Sequence, residues 1–226
     1  MIITKQVFFE CDNPDCRLRF PGNEGYARSR RCPVCRSSIH AAAPVENISE
    51  KDKYSDNNSS LKVEALLDNI RSAWNVGSIF RTADGTGIRK LYLTGITASP
   101  ENPKVRKTAL GAETSIAWEK HNNGVQLAGR LKSRGYILWA LEDLPGAIPL
   151  FQMEAGTENY PIVLILGNEV AGVDPGIIDL CSQVVSIPML GKKQSYNVTV
   201  AFGIAASFIL YRQIVSQESL KIFPNT

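Results

Sequence analysis

The sequence predicts an α/β domain on a mostly parallel sheet covered by helices, preceded by a small cysteine-based metal module. Three observations carry that reading. Near-continuous apolar runs, YILWAL at 136–141, IVLIL at 162–166 and VVSI at 184–187, alternate with segments of helical periodicity. Strands buried on both faces look like this, as in a parallel sheet between two helix layers. Four of the five cysteines fall within the first 35 residues. Between the two regions, residues 45–60 (VENISEKDKYSDNNSS) are polar, mixed in charge and rich in Asn and Ser, the composition of a linker. The expected organisation is a zinc-ribbon-like module at 1–44, a linker at 45–60 and a second domain at 61–226.

A chain of 226 residues with 44% hydrophobic content can bury a sizeable core in one or two domains, so composition does not point to disorder. No basic start followed by an apolar h-region is present, so a cytoplasmic location is expected. The longest apolar stretch, 198–210, is interrupted by Thr199, Gly203 and Ser207. It falls short of the roughly 20 residues that span a bilayer and reads as a buried helix, so no membrane partner is expected.

The formal net charge is only +3, but its distribution is uneven. Up to residue 40 there are seven bases (Lys5, Arg17, Arg19, Arg28, Arg30, Arg31, Arg36) against four acids (Glu10, Asp12, Asp15, Glu24). The whole excess therefore sits on the N-terminal module, where phosphate attraction would be felt. An ordinary solvated basic surface is the alternative.

Cys11, Cys16, Cys32 and Cys35 form C-x4-C, a gap of fifteen residues, then C-x2-C. Two short-spaced pairs let two tight turns each present two thiolates to the tetrahedron that Zn²⁺ prefers. Disulfides are disfavoured in a cytoplasmic chain, and a redox C-x-x-C leaves Cys11 and Cys16 unexplained. A structural metal also suits a segment of about 40 residues, too short for a self-sufficient core. The module's role is either RNA docking, through Arg28, Arg30, Arg31 and Arg36, or a protein contact. His40 lies beyond the completed set of four, and Cys181 stands among Ile177, Ile178 and Leu180, the company of a core cysteine.

In the second region, 61–70 reads as a strand leading into a loop. Residues 75–86 show helical periodicity through Val76, Ile79, Phe80 and Ala83, with Asn75 placed to cap the helix and Arg81 on it. KLYLT at 90–94 is strand-like, and helices are expected at 124–133, 176–181 and 198–215. Three junctions carry chemistry. The first turns at Asn75-Val76-Gly77 into a helix. The second leaves the IVLIL strand through Gly167-Asn168-Glu169 and then Gly172, where glycine lets a ligand approach the backbone. The third leaves a strand through Pro188 and Gly191 and brings Ser195 and Asn197 to the start of the last helix, where free N–H groups meet small polar side chains.

In this order and combination the junctions resemble the three motifs of the SpoU (TrmH-like) family of the SPOUT methyltransferase superfamily. Asn75, Gly77 and Arg81 match N-x-G-x-x-x-R. Gly167-Asn168-Glu169 with Gly172 matches the second motif, and Ser195-Tyr196-Asn197-Val198 the third. The resemblance covers about 61–212. Tyr196 stands where Leu is common and Phe202 where small residues are frequent, departures that bear on local pocket shape. KTALGAE at 107–113 looks like the family's loop near the substrate entrance, with Lys104, Arg106 and Lys107 as a positive edge.

The resemblance implies transfer of the methyl of S-adenosylmethionine to a ribose 2′-hydroxyl of tRNA or rRNA. It also implies an α/β fold with a C-terminal trefoil knot, and a homodimer. By the same resemblance, Ala140, Leu141, Leu166, Gly167, Ile187, Met189 and Leu190 would hold the cofactor, supported by Ser195 and Asn197. Arg81, Asn75 and Glu169 would be the catalytic group. A guanidinium is a poor general base, so Arg81 is expected to bind phosphate and stabilise alkoxide charge. Neither His40 nor His121, which is expected in a polar loop at 120–124, fits the chemistry. Two rival readings remain: a non-catalytic RNA-binding protein on the same scaffold with the ribbon as reader, and methylation of a base instead of a ribose.

Overall fold

The structure, a computed structural model, describes residues 6–23, 31–44, 62–153 and 161–222, with side chains of the last helix as far as 212. The expected linker, Arg28 and Arg30 lie outside the described residues. The chain divides into two compact units, Met1–Asn57 and Asn58–Thr226.

The first unit is a three-stranded antiparallel sheet, β1 (Gln6–Cys11), β2 (Arg19–Asn23) and β3 (Ile39–Pro44), in the order β2-β1-β3. Alternation along β1 buries Val7, Phe9 and Cys11 on one face, where they meet Cys32 and Ile39. So few apolar side chains make a weak core on their own.

The second unit runs β4 (Val63–Asp68), α1 (Ala73–Gly85), β5 (Lys90–Thr94), α2 (Pro103–Ala109), β6 (Ala117–His121), α3 (Gly124–Ser133), β7 (Ile137–Leu141), β8 (Ile148–Pro149), β9 (Ile162–Leu166), α4 (Pro175–Ile178), β10 (Gln183–Ser186) and α5 (Val198–Ile222). Seven strands form one sheet in the order β6-β5-β4-β9-β7-β10-β8, and every pairing is parallel. Strand alternation feeds two cores. Ala65, Leu67, Leu91 and Leu164 pack with α1, α2 and α5, while Leu66, Leu138, Val163 and Ile165 pack with α3 and α4. The helices thus cover both faces, as near-continuous apolar strands require. Among the described residues no helix is long and apolar enough to cross a membrane.

Four departures from the sequence reading concern the elements around the site, while the helix expected at 176–181 is only Pro175–Ile178. β6 (AWEKH) carries little apolar signal because it is an edge strand with mostly exposed side chains, and His121 ends it instead of standing in a loop. Residues 103–109 are a helix. Asn102 caps it by accepting from the Lys104 amide at 3.0 Å, and Pro103 opens it, so the expected entrance loop begins as the last turn of α2. α1 starts two residues early: Ser72 is its cap and Asn75 lies in its first turn. Phe202 lies on α5 itself and is fully buried, filling the core.

Candidate functional site

A parallel sheet puts the carboxyl ends of all its strands on one edge, and open α/β sheets bind ligands there. The loops after β4, β7, β9 and β10 meet at that edge. The loop after β9 is built first by its own backbone: Asn168 and Gly172 exchange N–H···O bonds at 2.9 Å each, and Asn168 Oδ1 accepts from the Val170 and Ala171 amides at 3.0 Å. Asn168 Nδ2 then donates to the Asn69 carbonyl at 2.8 Å, tying the turn to the end of β4.

The sequence leads one to expect that Gly167 makes room for a ligand, but the chain itself takes that room. A Cβ there would lie 2.1 Å from Gly172 C and from Val173 N. The tight turn projects Glu169 over the N-terminus of α1. Its carboxylate accepts from the Arg71 amide at 2.8 Å, the Ser72 amide at 3.2 Å and Asn75 Nδ2 at 2.9 Å. Burial opposes ionisation of Glu169, but these donors and its own amide outweigh it, so the carboxyl pKa falls below its ordinary value.

Asn75 is the hinge of the arrangement, since its Oδ1 also accepts from Asn197 Nδ2 at 3.4 Å. Asn197 in turn caps α5: its Oδ1 accepts from the Thr199 amide at 2.8 Å and the Thr199 hydroxyl at 2.6 Å. The amide at the start of α5 that the sequence leaves free is therefore taken by Asn197. One hydrogen-bonded chain, Glu169–Asn75–Asn197, links the three sequence segments.

Beside it opens a cleft of about 910 Å³. Of the residues proposed to hold the cofactor, Leu141, Leu166, Gly167, Ile187, Met189, Ser195 and Asn197 line it. Ala140 does not, because it is fully buried within β7 between two paired neighbours. Leu190 does not either, being 101% exposed. A second recess of about 430 Å³ is lined by Arg71, Ser72, Asn75 and Glu169. Arg81 borders neither. It is exposed and, six residues after Asn75, points about 120° around the helix from it. No hydrogen bond or ion pair holds Arg81 among the described residues. It shares the outer face of α1 with Trp74, whose ring carries Lys107 Nζ at 5.4 Å.

Sequence reasoning missed Glu142, Asp143, Lys193 and Gln194, all on the cleft wall. Glu142 is the first polar residue after a buried parallel strand, the position where ligand-facing groups emerge in such sheets. His121 contacts Glu119 at 3.0 Å and belongs to the β6 surface. Cys181 donates to the Ile177 carbonyl at 3.2 Å, and burial pushes its thiol up to about 11.

In the first unit, two turns present the cysteines. Asn13 O accepts from the Cys16 and Arg17 amides at 3.0 and 2.9 Å, and Cys32 O accepts from the Arg36 amide at 3.0 Å. Each turn ends on a left-handed arginine, Arg17 at φ 44° and Arg36 at φ 64°. All four Sγ atoms lie within 4.8 Å of one another, with Cys11–Cys35 at 3.4 Å and Cys16–Cys32 at 3.8 Å. Four sulfurs about 2.3 Å from one Zn²⁺ would stand about 3.8 Å apart, so the donor set fits a tetrahedral metal. Arg31 reaches the Arg36 carbonyl at 3.1 Å, and Arg19 lies 3.6 Å from Glu10.

Residues 62–207 match the family described as the SpoU rRNA Methylase family, leaving the four cysteines outside. A tRNA (guanosine(18)-2′-O)-methyltransferase of Aquifex aeolicus is 33% identical over 140 residues, or 62% of this chain and 64% of that one. This chain therefore spans less than two thirds of that relative's length. Among solved structures, the A. aeolicus TrmH/SpoU tRNA modifying enzyme aligns with a TM-score of 0.62 at 26% identity, over 73% of this chain and 80% of its own. An AdoMet-bound rRNA methyltransferase from Sinorhizobium meliloti aligns with a TM-score of 0.61 at 25% identity, over 69% and 56%.

Proposed function

The chain belongs to the SpoU rRNA Methylase family, and from that premise we propose that it methylates a ribose 2′-hydroxyl of tRNA or rRNA, using S-adenosylmethionine. The observation that carries the reading is the Glu169–Asn75–Asn197 chain, which joins the three motif segments at the mouth of a cleft large enough for such a ligand. S-adenosylmethionine supplies an electrophilic methyl on a cationic sulfur. Leu141, Leu166, Gly167, Ile187 and Met189 would offer it apolar walls and backbone groups, and the Asp143 and Glu169 carboxylates suit a cation.

The recess lined by Arg71, Ser72, Asn75 and Glu169 is the proposed seat of the acceptor nucleotide. There Asn75 orients the ribose, while Glu169 holds the first turn of α1 in place. Arg81 binds the adjacent phosphate and stabilises charge developing on the 2′-oxygen, because a guanidinium does not serve as a base. Its position away from its own subunit's cleft is met by a homodimer in which one copy's α1 face completes the other's site. The four cysteines hold structural zinc, and the ribbon's arginines dock RNA phosphates.

Incubation of RNA with labelled S-adenosylmethionine followed by alkaline hydrolysis tests the activity. Ribose methylation leaves label in alkali-resistant dinucleotides, because the blocked 2′-oxygen cannot attack its phosphodiester. Label in mononucleotides would mean base methylation, and RNA binding without label would leave a non-catalytic binder.

A further inference from the structure

Glu142 follows directly on β7 and lies outside all three motif segments. Its carboxylate sits against the far side of the same turn that presents Glu169. Oε2 accepts from the Val173 amide at 3.0 Å, and Oε1 from the Asp143 amide at 3.3 Å. The Glu142 amide donates to the Val185 carbonyl of β10 at 3.0 Å. Gly172 presses on the carboxylate from the turn: its φ is +74°, and a Cβ there would stand 2.6 Å from Glu142 Oε2. Segments from β7, the β9 turn and β10 therefore converge on one residue, and both Glu142 and Gly172 line the cleft.

We propose that Glu142 is a positioning residue, a clasp that holds the 168–173 turn against the β7 loop and thereby sets the width of the cofactor cleft. The proposal rests on the reading of that cleft as the S-adenosylmethionine site. Glu169 fixes the turn to α1 and Asn168 fixes it to the end of β4, and Glu142 fixes its closing side to the end of β7. Without the Glu142 tether the Val173 side of the turn can move away from β7, since a hydrogen bond from an amide to a carboxylate is among the stronger ones a loop can make.

Two substitutions separate a clasp from a direct ligand contact. Glu142→Gln keeps a carbonyl oxygen for the Val173 amide and removes the charge, whereas Glu142→Ala removes both. A clasp predicts that Glu142→Ala weakens S-adenosylmethionine binding about ten- to hundredfold, with KM rising more than kcat falls, and that Glu142→Gln recovers most of the loss. Amide exchange of ligand-free protein supplies the second readout: Val173 exchanges faster in Glu142→Ala than in wild type or Glu142→Gln. Equal loss of affinity in both variants would show that the charge itself contacts ligand and would overturn the clasp. Unchanged Val173 exchange and affinity in Glu142→Ala would overturn it as well. If wild-type protein fails to bind S-adenosylmethionine, the cofactor reading falls, and the exchange data alone decide whether the clasp exists.

Discussion

Arg81 shows how differently a residue's identity and its surroundings inform. Its chemistry is legible in a single line of sequence, because a guanidinium six residues after Asn75 has no packing duty there. Its place is not legible: the structure sets it on the outer face of α1, away from its own cleft. Arg81→Ala is expected to lower methyl transfer about 10²- to 10³-fold while moving stability by no more than about 0.5 kcal/mol. Single-turnover assays and chemical unfolding check the two halves, and Arg81→Lys should rescue poorly because the planar fork is lost. Glu169 makes a different prediction. Its depressed pKa contributes stability that is present above the unfolded value of about 4.3 and is lost as pH falls through the folded value. Thermal unfolding of Glu169→Gln should therefore decline less steeply than wild type as pH drops from about 6 to about 3. Glu142 is legible in the sequence only as the first of two acids after the β7 run, and its hold on a turn some thirty residues further on is not.

At the scale of elements, the long buried strands and α5 are legible as near-continuous apolar runs, and α1 and α3 by their apolar periodicity. β6 and α2 are not. β6 is an exposed edge, and the signal for α2 is two residues, Asn102 and Pro103, set in a positively charged stretch that resembles a loop. The pair α1 and α2 explains the motif glycine at 77 in packing terms. A Cβ on Gly77 would lie 2.1 Å from Thr108 Oγ1 and 2.2 Å from the Val105 carbonyl, so the two helices touch there backbone to backbone. Gly77→Ala is expected to destabilise the second unit by about 1–3 kcal/mol, as overpacking does, measured by denaturant unfolding. Thr108 adds to the seam by donating to the Trp74 carbonyl at 3.0 Å.

The whole molecule combines two kinds of stability. The first unit has a core of a few side chains around four sulfurs, and the second a two-sided parallel sheet. Chelation, or Cys32→Ser, is expected to unfold the first and leave the unfolding transition of the second in place, with metal analysis giving about one zinc per wild-type chain. Substitution of Arg31 and Arg36 by Ala should flatten the salt dependence of RNA binding. On single-stranded RNA the log–log slope should fall by about 0.7 for each phosphate that the variant no longer neutralises. The cysteine spacing makes the four-sulfur cluster readable, whereas the convergence of three distant segments is readable only by resemblance. That convergence also sets a timetable. The Arg71 amide waits for a carboxylate 98 residues downstream. At about 5–20 residues per second on the ribosome, the wait is about five to twenty seconds. The first motif therefore leaves the ribosome inert, and competence arrives with the last third of the chain.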